Sequence, residues 1–234
     1  MITVYDMGPS EFPEDVGASP HVRKVILTLN YKSIPYLVKH LLFDEIEPTA
    51  KAVGAPSTSI RADGSLRYTV PFIYDSDTGN SVAESFPIIE YLDRTYPNTP
   101  QVLPPGTLAL QSVFIDAFQD VLAFKFGLWY SKELLESRKK VYGDAEPPQP
   151  PTLQQRTENL KRAKAFFDTL PAAYQENEFV MGKSPVFADI ALASHLITAR
   201  SLLGEGSKDW EEMSSWNRGR VGRLVDKILS YKRV

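Results

Sequence analysis

The sequence predicts two domains, a small α/β domain over residues 1–96 and an all-α domain over 107–234, joined by a linker at 97–106. Three observations predict this. Short β-branched runs alternate with helical patterns in the first part of the chain, four prolines crowd into Pro97 to Gly106, and beyond them apolar residues recur only at helical spacing. With 234 residues and 43% hydrophobic content, the chain is long enough to bury two cores.

Ile2 to Tyr5 reads as a first strand, and a polar loop with Pro and Gly follows from Gly8 to Ala18. Ser19-Pro20 supplies a cap hydroxyl with proline at the first helical position, opening a helix through Val22, Ile26 and Leu29. Ile34 to Leu42 reads as a second strand and Glu47 to Val53 as a short helix stopped by Gly54 and Pro56. Phe72 to Asp75 and Ser81 to Ala83 flank the turn formers Ser76 to Asn80, a hairpin pattern. Ser85 starts a helix with Pro87 in its first turn, ending before Pro97, so the order is β-α-β-α-β-β-α.

Past the linker, Leu110, Phe114, Ala117, Val121, Phe124 and Leu128 form one apolar stripe of a long helix, with Phe118, Leu122, Phe126 and Trp129 beside it. The proline run Pro147-Pro148-Gln149-Pro150-Pro151 closes that region, and Leu153, Leu160, Ala163, Phe167 and Leu170 mark the next helix. Ile190 to Leu203 is apolar on nearly every side, as expected of a central helix, and Trp216 to Tyr231 reads as a basic, surface-like one.

Composition excludes several functions. Net charge is -3 with the basic residues dispersed, so neither nucleic acid nor a membrane surface is an expected partner. The chain has no cysteine, which rules out disulfides, thiolate metal sites and protein-thiol chemistry. His21, His40 and His195 are scattered, and no metal is expected. The N-terminus lacks the pattern of a secretory signal, and no stretch reaches the roughly 18 apolar residues of a membrane span, so a cytoplasmic protein is the expectation.

Two dipeptides carry the chemistry. Pro71, at the start of a strand, can take the cis form and turn the backbone N–H and C=O of Val70 outward toward an extended peptide ligand; the alternative is an ordinary trans proline. Ser85 opens a helix as its cap, where the hydroxyl and the helix dipole stabilise a ligand carboxylate, and Glu84 can accept from a ligand ammonium. Together they suit an α-amino acid head group. The alternative is a cap and a solvated acid.

Val70-Pro71, followed at a dozen or so residues by Glu84-Ser85-Phe86-Pro87-Ile88, resembles the glutathione-site signature of the glutathione transferase superfamily. The element order, the proline-rich linker and the helical second half extend the likeness over essentially the whole chain. Ser19-Pro20-His21, Leu29-Asn30-Tyr31-Lys32, Ile46-Glu47-Pro48 and Gly54-Ala55 resemble the fungal, etherase-like FuA class. The resemblance implies a thioredoxin-like first domain with glutathione as co-substrate. It assigns backbone pairing to Val70, a cis peptide to Pro71, and the γ-glutamyl end of glutathione to Glu84 and Ser85. It also implies a homodimer.

In this family a Tyr, Ser or Cys near the end of the first strand lowers the thiol pKa of bound glutathione. Ser19 stands in the loop-to-helix position as the serine-type candidate, where first-turn N–H groups also favour a thiolate; the alternative is a cap serving only its helix. Tyr5 competes but reads as core, and Ser10 in the loop is a third candidate. For the glycyl carboxylate the cations at hand are His40, Lys51, Arg61 and Arg67, of which Lys51 is chosen. Ala188-Asp189-Ile190 resembles the structural box of the family's second domain, with Val186 in place of the usual cap hydroxyl and Ser184 as a nearby substitute. Phe114, Phe118, Phe124, Phe126, Trp129 and Tyr130 read mostly as core, with a minority left for an aromatic ligand or an interface. The expected activity is attack of glutathione thiolate on hydrophobic aromatic or xenobiotic electrophiles, peroxides or aryl ethers. The alternative is a ligandin that holds glutathione and polyphenols with little turnover.

Overall fold

The computed structural model describes residues 1–9, 12–13, 16–122, 131–146, 149, 152–170 and 177–234, with 120–122 by backbone alone. Ser10, Phe124, Phe126, Leu128, Trp129, Tyr130 and most of the proline run at 147–151 lie outside the described residues, as do the side chains of Val121 and Leu122. The described residues cluster into two compact units, one holding residues 1–100, a helix at 132–142 and residues 232–234, the other holding the remaining helices.

In the first unit β1 (Ile2–Met7) leads into α1 (Pro20–Lys32), β2 (Tyr36–Leu41) and α2 (Phe43–Ala52). A two-stranded ribbon, β3 (Ser59–Ile60) and β4 (Leu66–Arg67), precedes β5 (Phe72–Asp75), β6 (Asn80–Ala83) and α3 (Ser85–Thr95). The main sheet runs β2-β1-β5-β6, with β1 parallel to β2 and antiparallel to β5. Ile2, Val4 and Asp6 face one side of β1, while Tyr5 on the other side stacks on Phe72 with ring centroids 4.4 Å apart. Tyr5 is therefore a core residue, packed with Leu41, Ile46, Ala50 and Ala83.

The second short helix starts earlier than the sequence pattern suggests. Glu45 reaches back to accept from the Leu42 N–H at 2.9 Å, so α2 begins at Phe43 and contains Pro48 in its interior rather than its first turn.

A buried carboxylate fastens the edge of this unit. Asp75 is fully buried and accepts from the Tyr91 and Tyr96 hydroxyls at 2.6 and 2.7 Å and from the Asp77 N–H at 3.1 Å. Burial pushes its carboxyl up, but these donors together hold it below the ordinary range; burial and the Asp75 charge push Tyr96 well above that of a phenol. The depressed acid contributes stability above about pH 4 that is lost as pH falls, and the raised phenol contributes stability below about pH 10 that is lost as pH rises. Tyr96→Phe should cost about 2 kcal/mol near neutral pH in urea denaturation, with the gap to wild type narrowing toward both extremes. A gap independent of pH would contradict this.

The helix at 132–142, α5 (Lys132–Tyr142), was not marked by the sequence pattern and falls in the first unit. Asp44 fastens it there, donating its N–H to Ser137 Oγ at 3.0 Å and accepting from the Ser137 hydroxyl and from Lys140 Nζ at 2.6 Å.

The second unit contains α4 (Leu108–Leu122), α6 (Leu153–Thr169), α7 (Phe187–Leu203) and α8 (Lys208–Ser230). Helix α7 is buried along nearly its whole length, as its uniform apolarity predicts. Residues 101–106 are docked rather than loose: the Val102 carbonyl accepts from Phe187 N–H at 2.9 Å and from Gln111 Nε2 at 3.2 Å. Helix α8 begins at Lys208, kinks at Trp216 to Gly219 and buries Trp216, Val221, Leu224, Val225 and Ile228, so it is not the surface helix its basic residues suggest. Phe118 is buried against His195 and Phe114, consistent with a packing role. Asp189 Oδ2 accepts from Val186 N–H at 3.0 Å and Oδ1 from Val180 N–H at 2.8 Å. Ser184 is exposed and makes no hydrogen bond among the described residues, so the second oxygen is satisfied by Val180 and not by a serine cap.

Candidate functional site

The strand register gathers the candidate residues at one end of the sheet. Tyr5 pairs with Phe72 and Phe72 with Ala83, so the chain leaves β1, enters β5 and leaves β6 at the same edge. Three segments therefore converge there: the loop leading to Ser19, Val70-Pro71, and Glu84-Ser85.

The Val70–Pro71 peptide is cis, and the Pro71 carbonyl accepts from the Glu84 N–H at 3.1 Å, so the two dipeptides are hydrogen-bonded to each other. Neither the N–H nor the C=O of Val70 has a partner among the described residues, which leaves a donor and an acceptor for an extended ligand backbone. Glu84, not Ser85, is the cap of α3, and its φ of 71° lies in the left-handed region that side chains rarely adopt. Ser85 is consequently the first helical residue, one position later than its hydroxyl suggests. Its N–H and Oγ have no partner among the described residues. Burial pushes the Glu84 carboxyl above its ordinary range, against the pull of the Lys24 ammonium on α1. A pair of donors for an anion at Ser85, its N–H and O–H, beside an acid at Glu84 matches the two charges of an amino acid head group.

Ser19 caps α1 as the sequence predicts. It is 6% exposed and accepts from the His21 N–H at 3.3 Å, and its hydroxyl proton has no acceptor among the described residues. The oxygen thus serves the helix, and among the described residues nothing competes with a ligand for its proton.

Lys51 is less committed to a ligand. It is 56% exposed, forms a 2.7 Å ion pair with Glu47 and lies 5.5 Å from the Tyr68 ring; Arg61 shares the same glutamate at 3.5 Å. Both cations border a pocket of ≈ 350 Å³ with Phe43, Tyr68, Val141 and Tyr142. His40 and Arg67 are exposed. No group of three His, Cys, Asp or Glu side chains among the described residues could hold a metal.

Residues 15–100 match the model of the glutathione S-transferase N-terminal domain and residues 109–231 that of the glutathione S-transferase C-terminal domain. The chain belongs to the glutathione S-transferase family. Its fold is accordingly a thioredoxin-like domain with a mixed sheet followed by a helical domain. Two glutathione S-transferases of Ceriporiopsis subvermispora, each solved in complex with glutathione, are similar to it. One is 28% identical with a TM-score of 0.83, covering 100% of this chain and 98% of the other. The second is 30% identical with a TM-score of 0.82, covering 98% of each. Glutathione transferase FuA3 of Phanerochaete chrysosporium is 27% identical with a TM-score of 0.82, covering 100% of this chain and 98% of the other. The likeness to the FuA class read from the sequence is borne out.

One buried residue beside Ser19 was missed. Asp6 is fully buried at the end of β1 and accepts from three backbone N–H groups, including those of Ala18 and Ser19. The only sequence signal was an acid in an inward position of an otherwise apolar strand. No helix among the described residues is long and apolar enough to cross a membrane.

Proposed function

We propose that this family member is a glutathione transferase whose Ser19 hydroxyl stabilises the thiolate of bound glutathione. Val70 pairs with the cysteinyl backbone beside cis-Pro71, Glu84 takes the γ-glutamyl ammonium and Ser85 its carboxylate, and Lys51 draws the glycyl carboxylate. The observation that carries the reading is the direct Glu84 N–H to Pro71 carbonyl bond at 3.1 Å, which makes one clamp of the two dipeptides. The thiol gives its proton to solvent, sulfur bonds to an electrophilic carbon, and the leaving group departs with the bonding pair; with a peroxide, sulfur instead attacks oxygen, the O–O bond breaks to release the alcohol or water, and a second glutathione displaces water from the sulfenic acid to give glutathione disulfide. Hydrophobic aromatic electrophiles, aryl ethers and peroxides are the substrate classes we infer. A homodimer, as the family resemblance implies, and a cytoplasmic setting complete the proposal. The observation favouring a ligand-binding protein with little turnover is that the Ser19 oxygen is already engaged as a cap.

Calorimetric titration with glutathione tests the clamp. Sub-millimolar binding is expected. Glu84→Ala should weaken it about tenfold or more through loss of a charge-assisted contact, whereas Lys51→Ala, already paired with Glu47, should change it only about threefold. Absence of binding by the wild-type protein would sink the proposal.

A further inference from the structure

We infer that Asp6 is a positioning residue for Ser19, its buried carboxylate fixing the Ala18–Ser19 backbone and so aiming the serine hydroxyl at the ligand thiol. This rests on the proposed function. The carboxylate accepts from Met7 N–H at 2.7 Å, Ala18 N–H at 2.6 Å and Ser19 N–H at 3.3 Å. It thereby ties the entry of α1 to the last residues of β1 across a long loop. The opposite polarity is supplied by Arg23, fully buried on α1, whose Nη2 donates to the carbonyls of Gly17 at 3.0 Å and Ala18 at 3.4 Å. Its guanidinium lies 4.4 Å from the centre of the Phe12 ring. The turn before Ser19 is thus held through its N–H groups from the sheet and through its C=O groups from the helix.

Gly17 completes the device. Its φ is 87°, and an added Cβ would stand 2.9 Å from Ile26 Cδ1 and 3.4 Å from Asp6 Oδ2. A free serine on a loop would sample several orientations; one whose backbone is fixed on both sides and whose oxygen accepts from the His21 N–H holds its Oγ in one place, with only the proton left to turn toward a ligand. A buried carboxylate near a forming thiolate opposes that charge. Its value to the site is therefore geometric, and charge and geometry predict opposite outcomes on substitution.

The test measures the pKa of the bound glutathione thiol from its ultraviolet thiolate absorbance, with affinity measured by calorimetry, in wild type, Ser19→Ala, Asp6→Asn and Gly17→Ala. Asp6→Asn removes the charge and one acceptor, while Gly17→Ala disturbs the same turn with the charge intact. Both should raise the bound thiol pKa by about a unit, a tenfold loss of thiolate near neutral pH, with affinity within about twofold of wild type because the clamp is untouched. If Ser19→Ala raises the pKa but the other two leave it unmoved or lower it, the positioning role falls and the serine reading stands. If Ser19→Ala itself has no effect, both fall. Should Asp6→Asn fail to fold, Gly17→Ala decides: a raised pKa supports the role and an unmoved one overturns it.

Discussion

Ser19→Ala should lower kcat/KM for an aromatic electrophile by about a hundredfold or more, the range seen when a single donor to a developing anion is removed, while glutathione affinity stays within about twofold. On the proposed reading the affinity is carried by Val70, Glu84 and Ser85, none of which is hydrogen-bonded to the serine hydroxyl among the described residues. Because the same oxygen caps α1, Ser19→Ala should also destabilise the protein by about 1 kcal/mol, whereas Ser19→Gly should cost only a few tenths while losing activity equally. Steady-state kinetics and urea denaturation on the two variants separate the roles. Unchanged turnover in either variant would remove Ser19 from the mechanism.

The largest stability effect is expected at Asp189. Its carboxylate is fully buried and accepts from the Val186 and Val180 N–H groups, so Asp189→Ala leaves one buried and one half-buried donor without partners and should cost about 4 kcal/mol, some 10 °C in Tm. Asp189→Asn, which keeps one acceptor oxygen, should fall between. Burial pushes this carboxyl up to about 6 despite the two N–H groups and the Arg220 charge. A carboxyl raised in the folded state binds its proton there while the unfolded chain has lost it. Between about pH 4 and pH 6 the Asp189 contribution to stability therefore declines as pH rises. Thermal melts of wild type and Asp189→Asn across that window check the sign: the wild-type melting point should fall relative to the variant, and a rise would contradict the assignment.

What was legible in the sequence followed strong local chemistry. Ser19-Pro20 is a cap and a first helical residue in any context, and the apolar run from Phe72 bounded by Pro71 left little choice of strand start. Where packing was distant or sparse, the signal was weak. Strands β3 and β4 are two residues each with exposed side chains, too short to show a period. Helix α5 buries only Leu134 and Ser137 and is held by Asp44, ninety-odd positions earlier, so no apolar stripe announces it. The clamp was readable as two dipeptides, but the shift of the cap from Ser85 to Glu84 depends on a backbone angle that glutamate seldom takes. The role of Asp6 was not legible from its inward position alone, because Ala18 and Ser19, which its carboxylate holds, lie a dozen or so residues away.

That backbone angle at Glu84 has a consequence for how the family member can evolve or be engineered. A left-handed φ on a glutamate costs about 1–3 kcal/mol, and glycine would take it without strain. Selection for robustness alone would favour Glu84→Gly, whereas retention of a ligand that needs the carboxylate opposes it. On the proposed reading residue 84 is a position where heat tolerance and ligand affinity pull in opposite directions, and a thermostabilising screen run without glutathione is expected to erode the cleft at this residue.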